Sequence, residues 1–93
     1  MRIDWDEEKN RRNLGKHGVS FERASLAFQD PLALNQPDPC EDEERWQTLG
    51  LVNGVVVLLV VHTLREEGEE EVVRMISARK ATRVEREAYD QSH

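Results

Sequence analysis

The chain has 93 residues, 38% hydrophobic and 34% charged, with a formal net charge of −6. A chain this short buries only about 60–65% of the surface its unfolded form exposes, enough for one modest core, and its composition excludes a disordered or fibrous polymer. The acidic balance argues against strong nonspecific nucleic-acid binding by the molecule as a whole, the lone Cys40 excludes an internal disulfide, and the longest apolar run, residues 55–61, falls far short of the ~20 residues of a membrane span.

With no signal peptide in view, the expected protein is cytoplasmic, free of membrane contact and built as a single domain over 1–93. Residues 2–5 (RIDW) alternate polar and apolar positions and predict a short strand. Asp4 or Asp6 can cap a helix through DEEKNRRNLGKH, which carries acids in its first turn, Lys16 and His17 in its last, and Gly18 as its stop. Its apolar content is little beyond Leu14, so much of it should face solvent or a ligand. Ser20 caps a second predicted helix, FERASLAFQ, with Phe21, Ala24 and Phe28 on one stripe, and Asp30-Pro31 ends it. A short extended piece, LALNQ, precedes the loop-like PDPCEDEE.

Asn53-Gly54 lies between ERWQTLGLV and VVVLLVVHT, and this pair favours the positive φ angles of a two-residue hairpin turn. That turn predicts Val52 opposite Val55, Trp46 opposite Val61 and Arg45 opposite His62. One face would then run from Leu49, Leu51, Val56 and Leu58 to a polar end of Arg45, Gln47 and His62, while Trp46 would join Val57, Leu59 and Val61 on the other. The unbroken apolar run 55–61 predicts a central strand covered on both sides. After the acidic turn REEGEEE, EVVRMISAR alternates as another strand, with Val73, Met75 and Ser77 on one face and Val72, Arg74 and Ile76 on the other. Thr82 and Glu85 have capping-box spacing and open a terminal helix. The fold class is α+β, with two N-terminal helices and a C-terminal helix on a largely antiparallel β-sheet.

His17, His62 and His93 are scattered, and no zinc, calcium, P-loop, dinucleotide or nucleophile-elbow pattern is present, so neither metal nor other cofactor is expected. The chemistry must then come from cations on regular structure. Arg45 and His62 either form part of a cationic site or fringe the sheet paired with Glu43 and Glu44. Arg74 interrupts an aliphatic strand, so it needs a carboxylate partner or a ligand cleft, and the cleft is the favoured expectation. Arg79 and Lys80 precede the N-terminus of the last helix, a place suited to a phosphate. His17 reads as a helix-terminal dipole partner or as a proton carrier.

Three segments, WDEEKNRRNLGKHGVSFERASLAF, DEERWQTLG and RMISARKATRVEREAY, resemble in order the signature segments of the BrnT family of small toxins from type II toxin-antitoxin systems. The resemblance implies a RelE-like fold, metal-independent endoribonuclease activity that blocks translation, and neutralisation by a BrnA-like antitoxin. Such antitoxins carry a ribbon-helix-helix part through which the complex binds operator DNA. Carried onto this chain, it implies Lys16, His17, Glu44, Arg45, Arg74, Ser77 and Arg79 as site candidates, with His17, Glu44, Arg45, Arg74 and Arg79 assigned to catalysis and Lys16 and Ser77 to RNA binding. Lys80 and Arg83 are added to the RNA-binding set as cations that can track the backbone. His62 is added to the RNA-binding set from the hairpin reading. The competing class is a noncatalytic interaction module, or an inactive toxin homologue, whose cationic face binds an acidic partner.

Overall fold

The computed structural model describes residues 1–40 and 42–92; Glu41, within the expected loop, and His93 lie outside the described residues. Strand β1 (Arg2–Asp4) leads into helix α1 (Glu7–His17) and the short helix α2 (Phe21–Ala24), which tightens into a 3₁₀ turn over Ser25–Gln29. Strands β2 (Leu34–Pro37), β3 (Trp46–Val52), β4 (Val56–Glu67) and β5 (Glu70–Lys80) follow, and helix α3 (Arg83–Gln91) ends the chain. The five strands form one sheet in the order β1-β5-β4-β3-β2. Neighbours pair antiparallel except β1, which runs parallel to β5, so the sheet is mixed. The parallel pairing follows from the crossover through α1, α2 and three strands that separates β1 from β5.

Local chemistry sets the helix ends. The Asp6 carboxylate accepts from the Glu8 and Lys9 N–H groups at 2.8 and 3.4 Å, and Gly18 closes α1 at φ 72° while its N–H donates to the Leu14 carbonyl. Those two amide bonds hold the Asp6 carboxyl below its ordinary value. Ser20 caps α2 through the Arg23 N–H, and Thr82 and Glu85 complete the expected capping box on α3.

The layer beneath α1 and α2 holds the main core. Val19, Phe21, Ala24 and Ala27 pack on Val52, Leu58, Val60, Val73, Met75 and Ala78. Here the 3₁₀ turn approaches β3 so closely that a Cβ at Gly50 would lie 2.5 Å from the Ala27 carbonyl oxygen. On the opposite side, Tyr89 of α3 packs on Leu49, Val57 and Leu59. Strand β4 is thus central and covered on both sides over 57–60, as its unbroken apolar run predicts.

Helix α1 docks by a device the apolar pattern does not reveal. Leu14 is exposed, and the buried residues are Asn10 and Asn13. The Asn13 amide donates to the Val19 and Ala78 carbonyls at 2.9 and 2.8 Å, and its oxygen accepts from the Ala78 N–H at 3.1 Å. Strand β1 pairs only with residues 72–74 of β5, so Asn13 replaces a missing strand further along that edge. Asn10 donates to the Glu7 and Glu22 carboxylates and accepts from the Phe21 N–H, tying α1 to α2.

Two register features overturn the expected face assignments. Asn53 and Gly54 adopt positive φ and the Val55 N–H donates to the Val52 carbonyl, but the ladder closes with Val52 opposite Val56. The loop therefore holds three residues, and Trp46 faces His62 instead of Val61. Because strand side chains alternate with period two, this single-residue slip moves His62, Leu58 and Val56 to the α1/α2 face, together with Trp46. Between Val61 and His62 the β4–β5 register shifts, with Ser77 opposite Val61 and Met75 opposite His62, leaving Ile76 as the extra residue of a bulge. Ser77 consequently joins Arg74, not Met75. Among the described residues no helix is long and apolar enough to cross a membrane.

Candidate functional site

On the α3 side of the sheet, successive rows run from apolar to polar. Leu51 stands opposite Val57, Leu49 opposite Leu59 and Arg79, Gln47 opposite Val61 and Ser77, and Thr63 opposite Arg74. The Asp38 N–H donates to the Arg45 carbonyl one step beyond the β2–β3 ladder, and alternation places Arg45 on the Gln47 face. The gradient expected from the hairpin is thus present with exchanged partners: α3 covers the apolar rows, Arg79 stands at the β5 end of the Leu49–Leu59 row, and Arg45, Gln47, Arg74 and Ser77 share the polar half. With strands about 4.8 Å apart and about 3.3 Å per residue along them, the face measures roughly 10 Å across three strands and roughly 13 Å from the Arg79 row to the Arg74 row.

The arginines of this face are already engaged by carboxylates. Arg74 meets Asp4 at 3.1 Å with 42% of its side chain exposed, so the expected ligand cleft around it gives way to a partner on the neighbouring strand. Asp4 also lies 4.0 Å from Arg65, and Arg2 bridges Glu67 and Glu70, so this corner carries alternating charges. Arg45 pairs with Glu43, whose hydrogen bond raises the guanidinium pKa further; Glu44 is exposed in the approach to β3. Arg79 grips Glu85 through two N–H groups at 2.7 and 2.9 Å, and this contact is the largest cause holding the Glu85 carboxyl at about 2. The Arg79 guanidinium, expected to be free for phosphate, is therefore shared with the cap of α3. Lys80 is exposed and alternates to the opposite face, opposite Leu58. Arg83 lies on the outer surface of α3, paired with Glu87 at 3.2 Å.

A second cationic region adjoins this face at the β5 edge. Lys9, Arg12, Asn13, Lys16 and His17 of α1, with Ile76 and Ser77, line a groove of about 290 Å³. The half-buried His17 and exposed Lys16 reach it from the last turn of α1, and Ser77 belongs both to the groove and to the polar sheet face. The Ile76 bulge makes that sharing possible, since unbroken alternation would have turned Ser77 inward beside Met75. Lys9 and Arg12 line the groove without having been singled out as candidates, although the cation-rich run 9–16 signals them, and Gln47 keeps the place beside Arg45 that the hairpin reading gave it.

His62 stands apart from these groups. It is 3% exposed, its Nε2 lies 2.8 Å from the Thr48 hydroxyl, and its ring meets Phe28 edge-on at 5.0 Å. Thr48 in turn donates to the Asn35 side chain at 2.6 Å. Burial lowers the His62 pKa, which favours a neutral core imidazole. The one-residue register slip explains why it does not join Arg45 and Gln47.

The model of the family described as "Ribonuclease toxin, BrnT, of type II toxin-antitoxin system" matches residues 5–85. A crystal structure of the Brucella abortus ribonuclease toxin BrnT is similar at 32% sequence identity and a TM-score of 0.63, over 89% of this chain and 99% of that one. No curated protein sequence matches.

Proposed function

This chain belongs to the BrnT family of ribonuclease toxins from type II toxin-antitoxin systems, and we propose that it is a metal-independent endoribonuclease whose site is the polar half of the α3-side sheet face and the groove beside it. The observation that carries this reading is that Arg45, Arg74, Ser77 and Arg79 lie on one sheet face bordered by His17 and Lys16.

RNA carries its own nucleophile. Attack of the 2′-oxygen on the adjacent phosphorus forms a 2′,3′-cyclic phosphate and breaks the bond to the 5′-oxygen, which leaves as a hydroxyl after taking a proton. A protein accelerates this by aligning the two oxygens, removing one proton, supplying the other, and neutralising charge on the nonbridging oxygens. In this assignment Arg45, Arg74 and Arg79 provide the charge stabilisation, His17 or Glu44 carries the protons, and Lys16, Ser77 and Arg83 contact the RNA backbone, while Lys80 is set aside because it stands on the opposite face. His62 is reassigned from RNA contact to the core on the strength of its burial. The carboxylates that hold Arg45 and Arg74 in the free protein would be partly displaced or re-paired by the phosphate. The RelE-like description of the fold, action of 1–93 as a single toxin domain in the cytoplasm, and neutralisation by a BrnA-like ribbon-helix-helix antitoxin that carries the complex to operator DNA complete the proposal.

Purified antitoxin-free protein incubated with RNA in EDTA should release fragments ending in 2′,3′-cyclic or 3′-phosphate, and folded His17→Gln and Arg74→Ala variants should lose that activity. One observation favours the second reading, a noncatalytic interaction module: every arginine of the face already has a carboxylate neighbour. Intact RNA with folded wild-type protein would select it.

A further inference from the structure

Arg79 and Glu85 are joined end to end. Arg79 Nη1 donates to Glu85 Oε1 and to the Lys80 carbonyl at 3.2 Å, and Nη2 donates to Glu85 Oε2. A guanidinium has five N–H groups in a fixed plane, and these contacts use the two Nη1 hydrogens and one on Nη2. The Nε–H and the second Nη2 hydrogen remain, and they point in parallel from one edge of the plane, the geometry that accepts two oxygens of a phosphate. No described residue receives a hydrogen bond from that edge, and 37% of the Arg79 side chain is exposed against 22% for Glu85.

Glu85 is itself fixed. Its carboxylate accepts from the Thr82 N–H at 2.8 Å while its own N–H donates to the Thr82 hydroxyl at 3.2 Å. A carboxylate locked in a helix cap is a rigid anchor, unlike one at the end of a freely rotating side chain. We propose that Glu85 is a positioning residue for the ribonuclease reaction: anchored by the α3 cap, it fixes the Arg79 guanidinium so that its Nε–Nη2 edge receives the scissile phosphate. This rests on the reading of the face as an RNA-cleaving site. Arginine with one edge on an anchoring carboxylate and the other on substrate loses little side-chain freedom on binding, which offsets the positive charge Glu85 withdraws.

The test compares two variants of the complete chain on a short RNA. Glu85→Gln keeps an acceptor for the Thr82 N–H but loses the paired carboxylate oxygens, and should lower kcat/KM about tenfold or more. Thr82→Ala removes the hydroxyl half of the cap and leaves both Glu85–Arg79 bonds; it should lower the melting temperature and lower kcat/KM by clearly less than Glu85→Gln does. In parallel, the Arg79 Nε–H resonance should move when a noncleavable 2′-deoxy dinucleotide is added to wild type, and not in Glu85→Gln. Wild-type cleavage with Glu85→Gln equally active or faster overturns the positioning role, as does an equal loss in Thr82→Ala. A wild-type protein that neither cleaves RNA nor shifts that resonance overturns the reading of the site itself.

Discussion

Ala78 and Arg79 are adjacent on β5, yet the two sheet faces they serve are built by opposite means. At Ala78 the contact is dry: both backbone groups bond to Asn13, which is 6% exposed, and the surrounding side chains are aliphatic or aromatic. At Arg79 it is wet and charged, a guanidinium and a carboxylate that both reach solvent. Hydrogen bonds without net charge can be sealed in a core when every group is satisfied, whereas an ion pair retains its exchangeability only where water or a ligand can reach it. The α1/α2 face therefore carries the larger core, and the proposed site lies on the α3 face beside the smaller one.

The comparison is sharpest in stability. Phe21, fully buried on the α1/α2 side, should cost about 3–5 kcal/mol when replaced by alanine. Leu51→Ala, on a residue 37% exposed at the rim of the α3 side, should cost only about 1 kcal/mol. Urea unfolding of both variants measures the contrast, and similar losses would break it.

Asn13→Ala should follow, at about 2–4 kcal/mol, because it strands the Ala78 N–H and two carbonyls without their partner. Hydrogen exchange at the Ala78 amide should quicken beyond what the global stability change explains. An unchanged exchange rate would mean that the strand edge is closed by something other than this side chain.

Gly50→Ala probes the same face from β3. Its added methyl must displace the 3₁₀ turn at Ala27, at a cost of about 1–3 kcal/mol by unfolding, while the α3 face and its charged groups stay in place. Equal loss of RNA cleavage and stability in this variant would argue that the faces are more tightly coupled than their separate cores suggest.

The sequence carried the element order and helix caps because these depend on neighbours a few residues apart: Asp6, Gly18, Ser20, Thr82 and Glu85 all act locally. It carried less of the faces. Val55 joins the hairpin loop and Ile76 forms a bulge, and each displaces the alternation by one residue, which is enough to send His62 inward and Ser77 outward. Asn13 looked like one polar residue on a polar helix, since nothing local announces that a distant strand lacks a neighbour. The Arg79–Glu85 contact joins a strand to a helix across a corner, outside the i,i+3 and i,i+4 spacings from which helical pairs are read.

Acid should affect the faces in separate windows. His62 has its pKa lowered below 6.5 by burial, so the unfolded chain takes up a proton that the folded chain resists, and stability falls as pH drops below that value. Glu85 is depressed from 4.5 to about 2, so its contribution is present above 4.5 and is lost as pH falls toward 2. Urea midpoints followed downward from neutrality should show the first loss in wild type but not in His62→Gln, and the second in both. A single transition unaffected by His62→Gln would mean that the buried imidazole is not resisting protonation.

The smallest effect belongs to Arg83, a candidate RNA contact whose side chain is 90% exposed and paired only with Glu87 one turn along α3. Such a pair contributes no more than about 0.5 kcal/mol, and a single peripheral phosphate contact adds mainly salt-dependent affinity. Arg83→Ala should thus leave the unfolding midpoint almost unchanged and weaken RNA binding slightly at low salt, with cleavage by bound enzyme intact. Cleavage lost as completely as in Arg74→Ala would move the centre of the site off the sheet and onto the outer surface of α3, and the division between a structural face and a reactive one would have to be redrawn around that helix.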